Sequence, residues 1–384
     1  MCMIIASMTE KYRRSERDEL FQKAERELQY AAQIYRIGER FEGLEPELSK
    51  ITMLDVTQIP GCHYGAKNVF VPMIRELEDR RIASIDSRIV VSPDTAILVE
   101  PSTGNGWVAF SDAAEMLGYE HMVVMPDGLP DARYNHPLGR EVEMIRTPKE
   151  EYVEGLPRKL NELMNQNRQR IREGKKIFVT PNHAAGRAHI TAEKMSDLGR
   201  RLLENIGDSR DPITLIVSMG NGASVCGVGG YVKKNIHESK LVVTESFAYG
   251  GGYDWYAKRN GLSSYRELFG IDLGDSRLMA KFSAYGTNAP IGMEMPLQTR
   301  AIEGDLIDEY VLFTDNEVLQ AFKDLKSNDD HLKNALELSN YSLLPQALAE
   351  TYGNSTLANI AEAKRFGNKG ERVVALAYDS RKNY

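Results

Sequence analysis

Short apolar runs alternating with helical stretches predict an α/β protein built on open, mostly parallel sheets with covering helices. Six strand-length runs carry the prediction: Ala96–Val99, His121–Met125, Lys176–Thr180, Ile213–Ser218, Leu241–Glu245 and Arg372–Ala377. Turns containing Gly, Pro or Asn stop the first five. Helical stretches separate the strands, which is the pattern of parallel strands joined by crossover helices.

Taken in order, the N-terminal segment reads as an amphipathic helix over residues 9–42, packed on a larger body. Leu20, Ala24, Leu28, Ala31 and Tyr35 recur at three- and four-residue spacing with charge between them. Gly38 and Gly43 loosen its end. Past Pro60 the strand–helix alternation begins, with Val108–Leu117 as a helix. A charged helical stretch around Glu151–Glu173 offers a boundary between two α/β units. The chain has 384 residues, enough for two or three domains at about 150 residues each.

Composition narrows the function classes. Hydrophobic residues make up 42% and charged residues 27%, so a sizeable core can form. The net charge of −7 argues against a nucleic-acid partner. No run approaches the 18 or so apolar residues of a membrane span. Met1–Met8 is mostly apolar but precedes the polar run TEKYRRSERDE, which is not the order of a secretory signal. Cys2, Cys62 and Cys226 form no disulfide framework and no metal-binding pair, and the seven histidines form no metal motif. A soluble, cytoplasmic, metal-free protein is expected.

Ligands of open α/β sheets collect at the carboxyl ends of strands. Four loops qualify: 61–68, 100–107, 218–227 and 249–252. In SMGNGASVCG, residues 218–227, glycines let backbone amides point into one concavity ahead of a helix, which suits a phosphate. A tight strand-to-helix turn explains the same residues. In EPSTGNGW, residues 100–107, Ser102, Thr103 and the local amides suit a carboxylate, and a capped helix start is the alternative. In GCHYGAKN, residues 61–68, Lys67 opens a helical stretch, where a lysine of lowered pKa becomes a nucleophile; a solvated surface lysine is the alternative.

The order of these loops resembles the fold-type II pyridoxal-phosphate enzymes, the cysteine synthase and tryptophan synthase β-chain superfamily. EPSTGNGW resembles their EPTSGNTG, and VSMGNGASVCGVG their GIGTGGTITGVG. FVTPNHAAGRAHITA resembles their asparagine-loop stretch, and LVVTESFAYGGG their VIGVEP strand with its glycines. TYGNSTLANIAEAKRFGNKGERVVALAYDSRKNY resembles their C-terminal helix and strand. The resemblance spans roughly residues 50–384.

It implies two domains: a large cofactor-binding one from 1–70 and 176–384, and a smaller, mobile substrate-loop one from 71–175. It implies pyridoxal 5′-phosphate as cofactor, with Lys67 as the Schiff-base lysine and general base, and Asn105 on the cofactor's 3′ oxygen. Gly220, Asn221, Gly222, Ala223 and Ser224 match the phosphate cradle. Ser102, Thr103, Gly104 and Gly106 match the substrate-carboxylate loop. Thr351 matches the neutral residue facing the pyridine nitrogen; a weak electron sink there favours loss of a β-substituent over transamination. The implied activity is β-replacement or β-elimination on a small β-substituted amino acid through an aminoacrylate, by a homodimer.

The sequence departs from the family pattern at the substrate side. Gly65, Gly106 and Trp107 stand where the family has serine, threonine and glycine, and Val179 or Thr180 where it has glutamine. ITMLDVTQIP replaces its N-terminal signature. An altered substrate is expected, with Trp107 and Tyr64 reshaping the pocket; core packing is the alternative for Trp107. Two other functions remain open on the residues alone. Gly220-x-Gly222 admits a Rossmann-type oxidoreductase, although Val225 occupies the third glycine position. A catalytically silent binding relative is the other.

Overall fold

The computed structural model describes residues 2–27, 32–57, 69–79, 89–129 apart from 103 and 105, 131–136, 139–151, 155–206, 211–247, 251–269, 295–316, 319–320 and 339–378; side chains are described except those of residues 2–13 and 265. Two compact units divide the chain: Met1–Tyr30, Ala66–Pro126 and Arg140–His183 in one, Ala31–Gly65, Asp127–Gly139 and Ala184–Tyr384 in the other.

The N-terminal helix, α1, spans Cys2–Glu27 and does not run on to residue 42. By Gln33 the chain is a strand, β1 (Gln33–Arg36), antiparallel to β2 (Thr52–Asp55). Tyr35 therefore serves strand pairing rather than the helix face expected of it. Helix α1 belongs with the smaller unit, not the larger. Its Arg17 grips Glu78 at 2.5–3.1 Å and the Leu117 carbonyl at 2.7 Å. Phe21, 2% exposed, fills the space below, with Arg75 over its ring.

The smaller unit is a wholly parallel four-stranded sheet in the order β5-β4-β3-β6. These strands are β3 (Ala96–Pro101), β4 (Glu120–Pro126), β5 (Glu143–Thr147) and β6 (Ile177–Val179). Alternate side chains face opposite ways along a strand. Met122 and Val124 of β4 and Val99 of β3 meet Leu156, Leu160 and Leu163 of a helix at Gly155–Asn165, whose four- and three-residue spacing makes one apolar face. His121 faces the other way, edge-on to Phe110 in the helix Gly106–Met116. Phe110 in turn packs on Phe70 of the helix Phe70–Asp79.

The larger unit is a seven-stranded sheet in the order β1-β2-β11-β7-β8-β9-β10, parallel except for β1. Its further strands are β7 (Thr214–Ser218), β8 (Lys240–Ser246), β9 (Glu309–Thr314), β10 (Ser339–Asn340) and β11 (Val373–Ala377). The expected α/β class with mostly parallel sheets is borne out. The helix Asn354–Gly367 lays Leu357, Ile360, Ala363 and Phe366 on Ile216, Val242 and Ala375. After β7 comes a π-helical turn, Val225–Gly229, that runs into the helix Gly230–Asn235. Gly227 of this turn lies so near the helix Ala188–Asn205 that a Cβ would fall 2.4 Å from the Met195 Cβ.

One side chain seals an edge. Among the described residues, strand β6 pairs only with β3. Along its open side Asn167, 1% exposed, donates to the Phe178 carbonyl and accepts from the Phe178 amide, both at 2.8 Å. An asparagine amide thereby does what another strand would do. Asn167→Ala is expected to lower stability by about 2 kcal/mol, because two buried backbone groups lose their partners. A urea titration followed by circular dichroism checks this, and Asn167→Asp is expected to recover only the bond accepted from the amide.

Candidate active site

Parallel pairing puts the carboxyl ends of β2, β11, β7, β8 and β9 along one edge of the larger sheet, and the candidate loops that follow β7 and β8 leave from there. At the end of β7, Ser218 gathers three segments. Its amide donates to the Tyr378 hydroxyl at 3.0 Å, just past β11. Its own hydroxyl lies 2.9 Å from Asn359 Oδ1, 3.0 Å from Thr244 Oγ1 and 3.2 Å from the Ser355 carbonyl. Asn359, fully buried, completes the knot by donating to the Leu376 carbonyl of β11 at 2.7 Å. The YGNST segment and the Gly-rich loop are thus tied to one residue.

The Gly-rich loop itself fits an anionic group. Among the described residues, no hydrogen bond is donated by the amides of Gly220, Asn221 and Gly222. The Ala223 amide is held by Asn221 Oδ1 at 3.0 Å, and Ser224 is buried. Gly222 has φ +87, and a Cβ there would sit 2.6 Å from the Gln298 nitrogen. Gln298 Nε2 donates to the Gly220 carbonyl at 2.6 Å, fixing the loop from outside. Successive free amides ahead of a helical segment form an anion nest, held by partial charges rather than by lysines.

Thr351 ends a short helix, Gln346–Thr351, and its hydroxyl donates to the Ala347 carbonyl at 2.8 Å. Its neighbour Tyr352 is bound into a buried cluster with the hydroxyl of Tyr35, which donates to Asp55 at 2.7 Å. Asp55 also accepts from the Thr57 amide and hydroxyl at 2.8 and 2.6 Å. Burial and the adjacent Asp55 carboxylate raise the Tyr35 phenol far above its ordinary value. This cluster fixes the carboxyl end of β2, where the chain leaves for residues 58–68. Lys67 and Tyr64 lie outside the described residues, as do Thr103 and Asn105.

In the smaller unit the loop after β3 meets the loop after β6. Ser102 is buried, and its hydroxyl donates to the Gly104 carbonyl at 3.1 Å. Glu100, completely buried, accepts from the amides of Asn182 and His183 at 2.8 and 3.2 Å and from His183 Nδ1 at 2.6 Å. A Cβ on Gly106 would lie 3.3 Å from Ser102 Oγ and 3.4 Å from His183 Cε1. The Glu100–His183 pair is a contact sequence reasoning missed, since each histidine was weighed alone. The available signal was that both residues follow strand-like runs and so fall on one sheet edge. Trp107 is 2% exposed within its helix, in agreement with core packing.

The loop after β8 is organised by Glu245, whose carboxylate accepts from the amides of Gly252 and Tyr253 at 3.2 and 2.8 Å. It caps the helix Gly251–Asn260.

A family model described as pyridoxal-phosphate dependent enzyme matches residues 73–331. The chain belongs to this family. The cofactor is therefore pyridoxal phosphate, and the reading as a Rossmann-type oxidoreductase is set aside. The structure is similar to a hydrogen sulfide-producing enzyme from Fusobacterium nucleatum, with a TM-score of 0.58 and 16% identity over 93% of this chain and 97% of that one. It is also similar to O-ureido-L-serine synthase, with a TM-score of 0.60 and 13% identity over 94% and 92% of the two chains. A further similar structure is a hydrogen sulfide-producing enzyme in complex with an α-aminoacrylate intermediate, at TM-score 0.58 and 16% identity over 87% and 82%. These likenesses establish the fold, which is that of fold-type II enzymes of this family. No curated protein sequence is significantly similar to the chain.

The anion nest of the pyridoxal-phosphate family member predicts its own test. Gly222→Ala is expected to weaken pyridoxal phosphate binding by about 10-fold or more, because φ is unfavourable and the Cβ collides with backbone. Fluorescence titration of the purified protein with the cofactor measures it.

Glu245 predicts a pH effect. Burial lifts its carboxyl to about 7, against the pull of the two amides that donate to it. The folded state keeps this proton at pH values where the unfolded chain has released it. The resulting stabilisation is full below the ordinary value near 4.5 and is lost as pH rises to about 7. Glu245→Gln is expected to flatten stability over that interval, as read from urea midpoints between about pH 5 and 8.

Proposed function

We propose that the chain catalyses β-replacement or β-elimination on a small β-substituted amino acid. The observation that carries this is the anion nest at Gly220–Gly222, at the carboxyl end of a central parallel strand in a pyridoxal-phosphate family member. When bound, the cofactor supplies an aldehyde and an electron-withdrawing ring that takes up charge at the substrate's Cα.

The chain's own residues then divide the work. Gly220, Asn221 and Gly222 would hold the phosphate through backbone amides and Ser224 through its hydroxyl, with Ala223 in the same cradle, its amide engaged by the Asn221 side chain. Lys67 holds the aldehyde carbon and, once released, moves the Cα proton as general base. Asn105 donates to the ring's 3′ oxygen. Ser102, Thr103, Gly104 and Gly106 orient the substrate carboxylate, and the neutral Thr351 is the ring-nitrogen partner. The larger unit is the cofactor-binding domain and the smaller one the substrate-loop domain, in a cytoplasmic homodimer. Support for chemistry at Cβ comes from the similar structures: O-ureido-L-serine carries its substituent there, and α-aminoacrylate is what remains when such a substituent has left.

The purified chain is expected to develop the near-visible absorbance of lysine-bound pyridoxal phosphate. Lys67→Ala is expected to lose it, with turnover down by at least about 10²-fold. Candidate substrates are O-acetylserine, O-phosphoserine, serine and cysteine, with pyruvate and sulfide monitored. A wild-type protein that takes up no cofactor overturns the assignment.

A further inference from the structure

We propose that Gln298 is the positioning residue of the anion nest: its side chain holds the Gly220–Asn221 peptide in the orientation that leaves an amide, rather than a carbonyl, facing an anion. The inference rests on the reading of that nest as the cofactor's phosphate site. The loop sequence does little to hold this peptide. Turning it over changes only ψ of Gly220 and φ of Asn221, and glycine and asparagine are the residue types least hindered in left-handed backbone. Other bonds fix the loop on either side. The Met219 amide donates to the Thr244 carbonyl at 2.8 Å, the Asn221 side chain takes the Ala223 amide at 3.0 Å, and the Cys226 amide donates to the Gly222 carbonyl at 2.9 Å. Between these anchors the Gly220–Asn221 peptide group has one described partner, Gln298 Nε2, at 2.6 Å from the Gly220 carbonyl.

Gln298 is 4% exposed and stands in the first turn of the helix Pro296–Glu303. Its two amide atoms cannot trade places. The Met295 backbone amide only donates and meets Oε1 at 3.3 Å, whereas the Gly220 carbonyl only accepts and meets Nε2. The same turn is pressed against the loop. A Cβ on Gly222 would lie 2.6 Å from the Leu297 carbonyl carbon as well as from the Gln298 nitrogen, and Cys226 Sγ donates to the Leu297 carbonyl at 3.1 Å. The donor is thus seated by the helix it belongs to. In a trans peptide the C=O and the N–H point opposite ways. With the Gly220 carbonyl held toward the helix, the Asn221 amide is turned to the far side, where it makes no bond among the described residues. Were the peptide reversed, a carbonyl oxygen would replace that amide and repel an anion. A side chain reaching the loop from outside thereby decides the sign of the partial charge that the nest presents.

The full chain is titrated with pyridoxal phosphate and with pyridoxal, which lacks the phosphate, and both affinities are read from cofactor fluorescence. Gln298→Met and Gln298→Leu remove the donor while keeping a side chain of similar size. Each is expected to lose about 10-fold or more in affinity for pyridoxal phosphate while pyridoxal affinity changes less than about 2-fold. A merely structural defect moves both ligands together. Equal losses for the two ligands, binding of neither, or no loss for either, in both variants, overturns the role of Gln298 while the cofactor assignment stands. A wild-type protein that takes up pyridoxal phosphate no better than pyridoxal overturns the reading of the nest, and this inference with it.

Discussion

The hydrogen bonds that place β11 between β2 and β7 govern the larger unit. Its register aligns Ala377 with Asp55 and Ala375 with Ile216. That alignment sets Tyr378 against Ser218, and through Asn359 it draws the helix Asn354–Gly367 down onto the sheet. The strand is nearly the last segment of the chain, yet it sits inside the sheet. The edge from which the Gly-rich loop leaves is complete only when residues separated by over 300 positions have paired, a topology of high contact order that folds slowly.

Electrostatics at the two loop clusters follow different rules. The nest at Gly220–Gly222 offers partial positive charge from oriented amides, a device that suits an anion without drawing on the chain's net charge of −7. At the Glu100–His183 pair a buried carboxylate oxygen instead holds one imidazole nitrogen at 2.6 Å, and so adds direction. Neither device shows in the overall balance of Lys and Arg against Asp and Glu.

Much of this was legible in the sequence where local pattern and tertiary role agree. The runs around Ile213–Ser218 and Leu241–Glu245 are apolar on both faces because β7 and β8 are buried on both faces, so composition alone marks them. Strands β1, β2, β5, β9 and β10 were not read, since short or half-polar segments such as QIYR and EMIRT become strands only through their neighbours. The helix expected over 9–42 overran because Tyr35 continues the helical spacing by chance. Of the candidate site, the Gly-rich and Ser102 loops were legible as motifs. The pairing of Glu100 with His183 was not, because it joins positions 83 residues apart that only the β3–β6 pairing brings together.

The π-helical turn at Val225–Gly229 carries a consequence for how this scaffold tolerates length change. A wide turn holds one more residue than the α-helical path it replaces. Removing any one residue between Ala223 and Gly230 would let the segment relax to ordinary winding. The helix after the turn would then keep its phase, because the residue removed is the one the wide turn absorbs. The side chains inside the turn are the tighter constraint: a Cβ on Gly227 would meet the Met195 Cβ at 2.4 Å, and one on Gly229 the Leu241 Cδ2 at 2.5 Å. A side chain placed on either glycine is therefore tolerated less readily than the loss of a residue that leaves both in their seats.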